Sequence, residues 1–189
     1  LGFLREGKVP EGAVVMTDIK TGRVLVWASY VMDGAMHDVA AEATAPSASV
    51  FKVVTGSALV EGGVPPSYKQ CYSGGEHTIK ASDLVENKRR DKWCATMGQA
   101  GFARTAAGFW NTTLSPFQGA NLATTIANGG EVLRLSIVSS VKDEAGEIYR
   151  GATSRQVLKR ALEASTAAQV TSMMEQTVDN GTSYKSFHD

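Results

Sequence analysis

Residues 45–63, "APSASVFKVVTGSALVEGG", restrict the fold more than any other stretch of the chain. Val50, Phe51, Val53, Val54, Ser57, Ala58 and Leu59 put apolar or small side chains on nearly every side of a helix. A helix without a polar face has to be covered by other elements, so this one is expected at the centre of the fold and buried. Pro46 or Ser47 starts it, Gly62-Gly63 ends it, and Pro65-Pro66 blocks any continuation. A chain of 189 residues, 43% of them hydrophobic, can build one sizeable core around such a helix.

The remaining segments supply the covering layers. "GAVVMTDIKTGRVLVWASY" (12–30) reads as a β-hairpin with its turn near Lys20-Thr21-Gly22, where Gly permits a positive φ. Both strands are rich in apolar residues, which predicts helices over at least one face. Residues 31–45 read as a loop, 64–90 are loop-rich, and "DKWCATMGQA" begins like a helix with Asp91 as its cap. "SPFQGANLATTIANGG" (115–130) is a punctuated helix: Ser115 at the N-cap, Pro116 at the first position, Gln118 completing a capping box, Gly129-Gly130 at the end. A strand, a turn at Glu144-Ala145-Gly146 and a short strand follow, then a helix from about Ser165 to Val178 closed by Asn180-Gly181.

Charge argues against two classes of partner. Lys+Arg and Asp+Glu are both 19, so nothing favours capture of nucleic acid or of an anionic membrane. No window approaches the about 18 apolar residues of a membrane span. "LGFLREGKVP" has no Met and no basic-then-apolar signal, so the chain is expected to begin inside a longer protein or as a processed product. His37, His77 and His188 lack metal-ligand spacing, and no metal or cofactor is expected. Cys71 and Cys94 fit a disulfide, half a metal site or two buried thiols.

Ser49 and Lys52 carry the chemistry. A serine hydroxyl is a weak nucleophile until a base lies within hydrogen-bond reach. Positions i and i+3 share a helix face, so Ser49 and Lys52 can meet. Burial among Val50, Phe51 and Val53 would favour the neutral amine that a base requires, so Lys52 is expected to be buried. Ser49 would also sit in the first helical turn, whose free N–H groups suit an oxyanion. Ser47 lies five positions from Lys52, off its face, and reads as the helix cap.

Four blocks in order, "VVMTDIKTGRVLVWASY", "SASVFKVVTGSALVEGG", "LSPFQGANLATTIANGGEVLRLSIV" and "MMEQTVDNGTS", resemble the transpeptidase domain of penicillin-binding proteins over nearly the whole chain. The resemblance implies an α/β fold of the α+β type: a central antiparallel sheet flanked by helices, related to serine β-lactamases. It makes Ser49 the acylated nucleophile and Lys52 its base. It further implies a D,D-transpeptidase that cross-links peptidoglycan stem peptides, takes β-lactams as covalent inhibitors, and works outside the cytoplasmic membrane on an upstream membrane tether. A same-fold D,D-carboxypeptidase or serine β-lactamase, and a non-catalytic penicillin-binding sensor or scaffold, are the alternatives.

The sequence departs from that set in two places. It holds no Ser-x-Asn, and its only Lys-Thr-Gly is Lys20-Thr21-Gly22, ahead of Ser49 and at a hairpin turn rather than on a strand beyond it. Residues 1–189 are therefore expected to be a single but incomplete transpeptidase domain, with chain missing between Ala100 and Gly101 and after Asp189. An extracytoplasmic location makes a Cys71–Cys94 disulfide chemically allowed, and the loop-rich segment between them would gain from one.

Overall fold

The structure is a computed structural model that describes residues 2–34, 37–68, 105–151 and 154–188. The Cys71–Cys94 pairing, the helix at Asp91 and the suspected Ala100–Gly101 break all lie outside the described residues. The chain forms two compact units, Leu1–Ala43 with Leu114–Asp189, and Thr44–Thr113.

In the first unit a short helix α1 (Gly2–Glu6) leads into the hairpin of β1 (Glu11–Thr17) and β2 (Val24–Val31). The strands are antiparallel, with Glu11 opposite Val31 and Met16 opposite Val26, and a bulge at Met16/Thr17. The turn forms where Lys20-Thr21-Gly22 predicted it. The Asp18 carboxylate accepts hydrogen bonds from the Lys20 N–H (2.8 Å) and the Thr21 hydroxyl (2.9 Å). These bonds, the Lys20 N–H first, hold the Asp18 carboxyl below its ordinary value. Gly22 has φ +79, and a Cβ there would stand 2.7 Å from the Arg134 carbonyl oxygen. That close approach lets Gly22 and Val24 exchange backbone hydrogen bonds with Ser136.

One face of the hairpin is covered as predicted. Helix α2 (Phe51–Glu61) lies in the second unit. The covering helix is α3 (Pro116–Ala127). Its Thr124 hydroxyl lies 2.6 Å from that of Thr17, and the Phe117 ring packs 5.4 Å from the Trp27 ring. The Trp27 indole N–H donates to Asp38, so the ring is fixed at both ends. The Ser115 capping box is complete: its hydroxyl accepts from the Gln118 N–H, and the Gln118 side chain accepts from the Ser115 N–H. Val14, Met16 and Leu25 remain exposed.

Beyond Gly129 and Gly130, both at positive φ, the chain reverses into β3 (Glu131–Leu133). A side chain at Gly130 would overlap the Leu162 carbonyl, so the turn requires glycine. The single strand expected before the turn at Glu144-Ala145-Gly146 is split into β3 and β4 (Ser140–Asp143), and only β4 pairs across that turn with β5 (Gly146–Arg150). β6 (Val157–Arg160), which carries no sequence signal of its own, pairs antiparallel with β3. α4 (Ala164–Asp179) then buries Thr166, Ala167 and Val170 on one face, and α5 (Tyr184–Phe187) follows. Ala40, Ile126, Leu133, Ala167 and Val170 form the buried apolar core. The class is the expected mixture of helices and antiparallel sheets. Among the described residues the strands make three two-stranded ladders, and no helix is long and apolar enough to cross a membrane.

Candidate active site

Ser49 and Lys52 lie in the second unit, where a 3-10 turn (Ala48–Val50) runs directly into α2. Lys52 Nζ stands 3.1 Å from Ser49 Oγ and donates to it. The i, i+3 spacing permits the contact, because it puts both side chains on one face of a single turn of helical backbone.

Three expectations about this segment are corrected. Lys52 is exposed, not buried. The helix is not covered all round: Val50, Val54 and Leu59 are exposed, and Ser57 is the buried residue of α2. Its apolar composition is therefore no guide to its burial here, because covering depends on which chain segments pack against it. Ser47 does not cap the helix. The N-cap position falls on Val50, since the 3-10 turn intervenes, and neither residue's side chain makes a capping bond. Ser47 is instead buried, with its N–H donating to the Thr112 carbonyl (3.0 Å) and its hydroxyl facing the Gly108 carbonyl (3.4 Å).

Those contacts bring in residues that sequence reasoning passed over. Ala48, directly before the nucleophile candidate, adopts φ +47. Its N–H donates to the Gly108 carbonyl at 2.8 Å, and the Thr55 hydroxyl donates to the Ala106 carbonyl at 2.7 Å. Pro46 bridges Thr113 on the same stretch. The one local signal was a glycine in the aperiodic run "GFARTAAGFWNTT". Among the described residues no group of three His, Cys, Asp or Glu side chains converges as a metal site.

No curated protein matches the sequence. Solved structures do. The imipenem acyl-enzyme of penicillin-binding protein A from Mycobacterium tuberculosis aligns at 20% identity and TM-score 0.62, over 87% of this chain and 56% of that one. The transpeptidase domain of Burkholderia pseudomallei penicillin-binding protein 3 aligns at 17% identity and TM-score 0.64, over 95% and 66%. The D,D-transpeptidase domain of a peptidoglycan glycosyltransferase from Eggerthella lenta aligns at 20% and 0.65, over 94% and 63%. At these identities the likeness is one of fold, the α/β fold shared with β-lactamases, and the chain spans little more than half of the Mycobacterium tuberculosis protein. The family evidence comes from the sequence: residues 68–188, well over half of the chain and beginning after Lys52, match the penicillin binding protein transpeptidase domain. The chain therefore belongs to the penicillin-binding protein transpeptidase family.

Proposed function

We propose that this chain carries the nucleophile of a D,D-transpeptidase, with Ser49 as the acylated residue and Lys52 as its base. The observation that carries the reading is the 3.1 Å approach of Lys52 Nζ to Ser49 Oγ within one turn of helical backbone. A positioned amine at that distance is within reach of the hydroxyl proton. The step requires Lys52 as the free amine, which burial does not supply because Lys52 is exposed; as the free amine it takes the proton while Ser49 Oγ bonds to the carbonyl carbon of the penultimate D-Ala of a stem peptide. The terminal D-Ala then leaves as an amine, carrying a proton, and Ser49 is left as an ester. An amine of a neighbouring stem attacks that ester, forms the cross-link and restores the serine hydroxyl. A β-lactam presents the same kind of carbonyl, and ring opening leaves its acyl group on Ser49. A neighbour in fold, penicillin-binding protein A from Mycobacterium tuberculosis, forms an imipenem acyl-enzyme complex, which supports this reading. We further propose that this chain works on peptidoglycan outside the cytoplasm on a membrane tether, a location that the match to the transpeptidase family supports.

The test uses the full-length protein and a fluorescent penicillin. One adduct is expected, on the peptide containing Ser49, and none in Ser49→Ala. Lys52→Arg keeps a permanent charge and cannot accept the proton, so its acylation should fall about 100-fold or more while the fold is retained. An adduct on Ser47, or normal labelling of Ser49→Ala, would sink the assignment. Rapid turnover of the adduct would instead mark the protein as a hydrolase.

A further inference from the structure

Ser49 is presented by a strained residue. Ala48, immediately before it, sits at φ +47, a region that residues with a Cβ rarely adopt. Such a conformation persists only when surrounding contacts impose it. The contacts come from the segment around Gly108. Gly108 is buried at φ +85, its carbonyl accepts the Ala48 N–H at 2.8 Å, and its own N–H closes a turn onto the Thr105 carbonyl at 2.9 Å. The approach is so close that a Cβ on Gly108 would overlap the Ala48 carbonyl oxygen and stand 2.8 Å from Phe51 Cβ. The Ser47 hydroxyl faces the same Gly108 carbonyl, and Thr55 ties Ala106 to α2 one turn beyond Phe51.

We propose that Gly108 is the positioning residue of the nucleophile turn: its bare Cα and its carbonyl hold Ala48 left-handed, so that Ser49 Oγ faces Lys52 Nζ. This rests on the assignment of Ser49 as nucleophile. Two features of Gly108 are needed together, the positive φ and the space where a side chain would be. The structure holds a control for the first alone. Gly63, at the other end of α2, has the same φ of +85 with nothing within 4 Å of where its Cβ would be.

The experiment measures acylation of the full-length protein by fluorescent penicillin. It separates the affinity of the first complex, the rate at saturation and the final stoichiometry. Gly108→Ala should acylate about 100-fold more slowly at saturation, the scale expected of a misplaced reacting group. Its affinity and its final stoichiometry should match the wild type. Gly63→Ala, with equal backbone strain and no contact to the turn, should acylate at the wild-type rate. A purely structural role predicts the opposite pattern for Gly108→Ala, a smaller fraction labelled at an unchanged rate, and that result overturns the proposal. So does a wild-type rate at full stoichiometry. If Gly108→Ala does not fold, Thr55→Val decides. It removes the bond to Ala106 while keeping side-chain shape, and a slowed saturating rate at full stoichiometry supports the proposal, whereas an unchanged rate overturns it. Ser49→Ala reports on the assignment separately: if it labels normally, that assignment falls whatever Gly108→Ala does.

Discussion

Single backbone positions decide much of this structure. Gly22 shows how. Its φ of +79 is the conformational demand of the hairpin turn, and the 2.7 Å gap to the Arg134 carbonyl is a separate, steric demand. Gly22→Ala should cost about 1–3 kcal/mol of stability, from strain and from displacement of the Ser136 bridge. Gly34, at φ +76 with nothing within 4 Å, isolates the conformational part. Urea unfolding of Gly22→Ala and Gly34→Ala checks this, and equal losses in the two variants would mean that the close approach carries no weight. Ser49 and Lys52 illustrate the complementary case, a contact that helical spacing permits within three residues and that the start of the helix at Ala48 orients.

Elements in this chain differ in how they are held. α3 is defined by its ends: Ser115, buried at 2% exposure, and Gln118 satisfy each other's backbone N–H groups, and Pro116 needs no partner for a hydrogen it lacks. Ser115→Ala should destabilise the fold by about 1 kcal/mol, because the Gln118 N–H loses its acceptor. Thermal unfolding measures it, and the double variant with Gln118→Ala should cost less than the sum of the two single changes if the box acts as a unit. α2 has no such cap, starting from a 3-10 turn whose residue Ala48 is held from outside the helix.

Across the molecule the charge is balanced at 19 of each sign, and among the described residues part of it is organised into a cluster. Glu131 on β3 receives Arg155 and Arg160 (2.7 Å) from the segment that forms β6, and Arg160 also donates to the Gly129 carbonyl (2.7 Å). The Arg155 hydrogen bond, followed by the charges of the two arginines, holds the Glu131 carboxyl below its ordinary value of 4.5. A carboxyl depressed in the folded state stabilises the fold above its unfolded value and loses that contribution as pH falls through the folded one. The urea midpoint should therefore drop on acidification below about pH 4.5, and Glu131→Gln should lower the midpoint at neutral pH while flattening the acid drop. A pH profile of Glu131→Gln parallel to that of the wild type would show the cluster to be ornamental.

Local chemistry was legible in the sequence wherever the deciding partners lie within a few residues of one another. The hairpin turn at Gly22, the Ser115–Gln118 box, the Gly129-Gly130 stop and the Ser49–Lys52 contact all belong to this kind. The order of these blocks along the chain was enough to suggest the family. The burial of α2, the strand Val157–Arg160, the true role of Ser47 and the left-handed Ala48 were not legible, because each depends on chain far away in sequence. β6 exists by pairing with β3, and Ala48 is held by Gly108, sixty residues on. Composition states what a residue favours, but a strained or uncovered conformation is chosen by the partner that packs against it, and only the tertiary structure brings that partner into place.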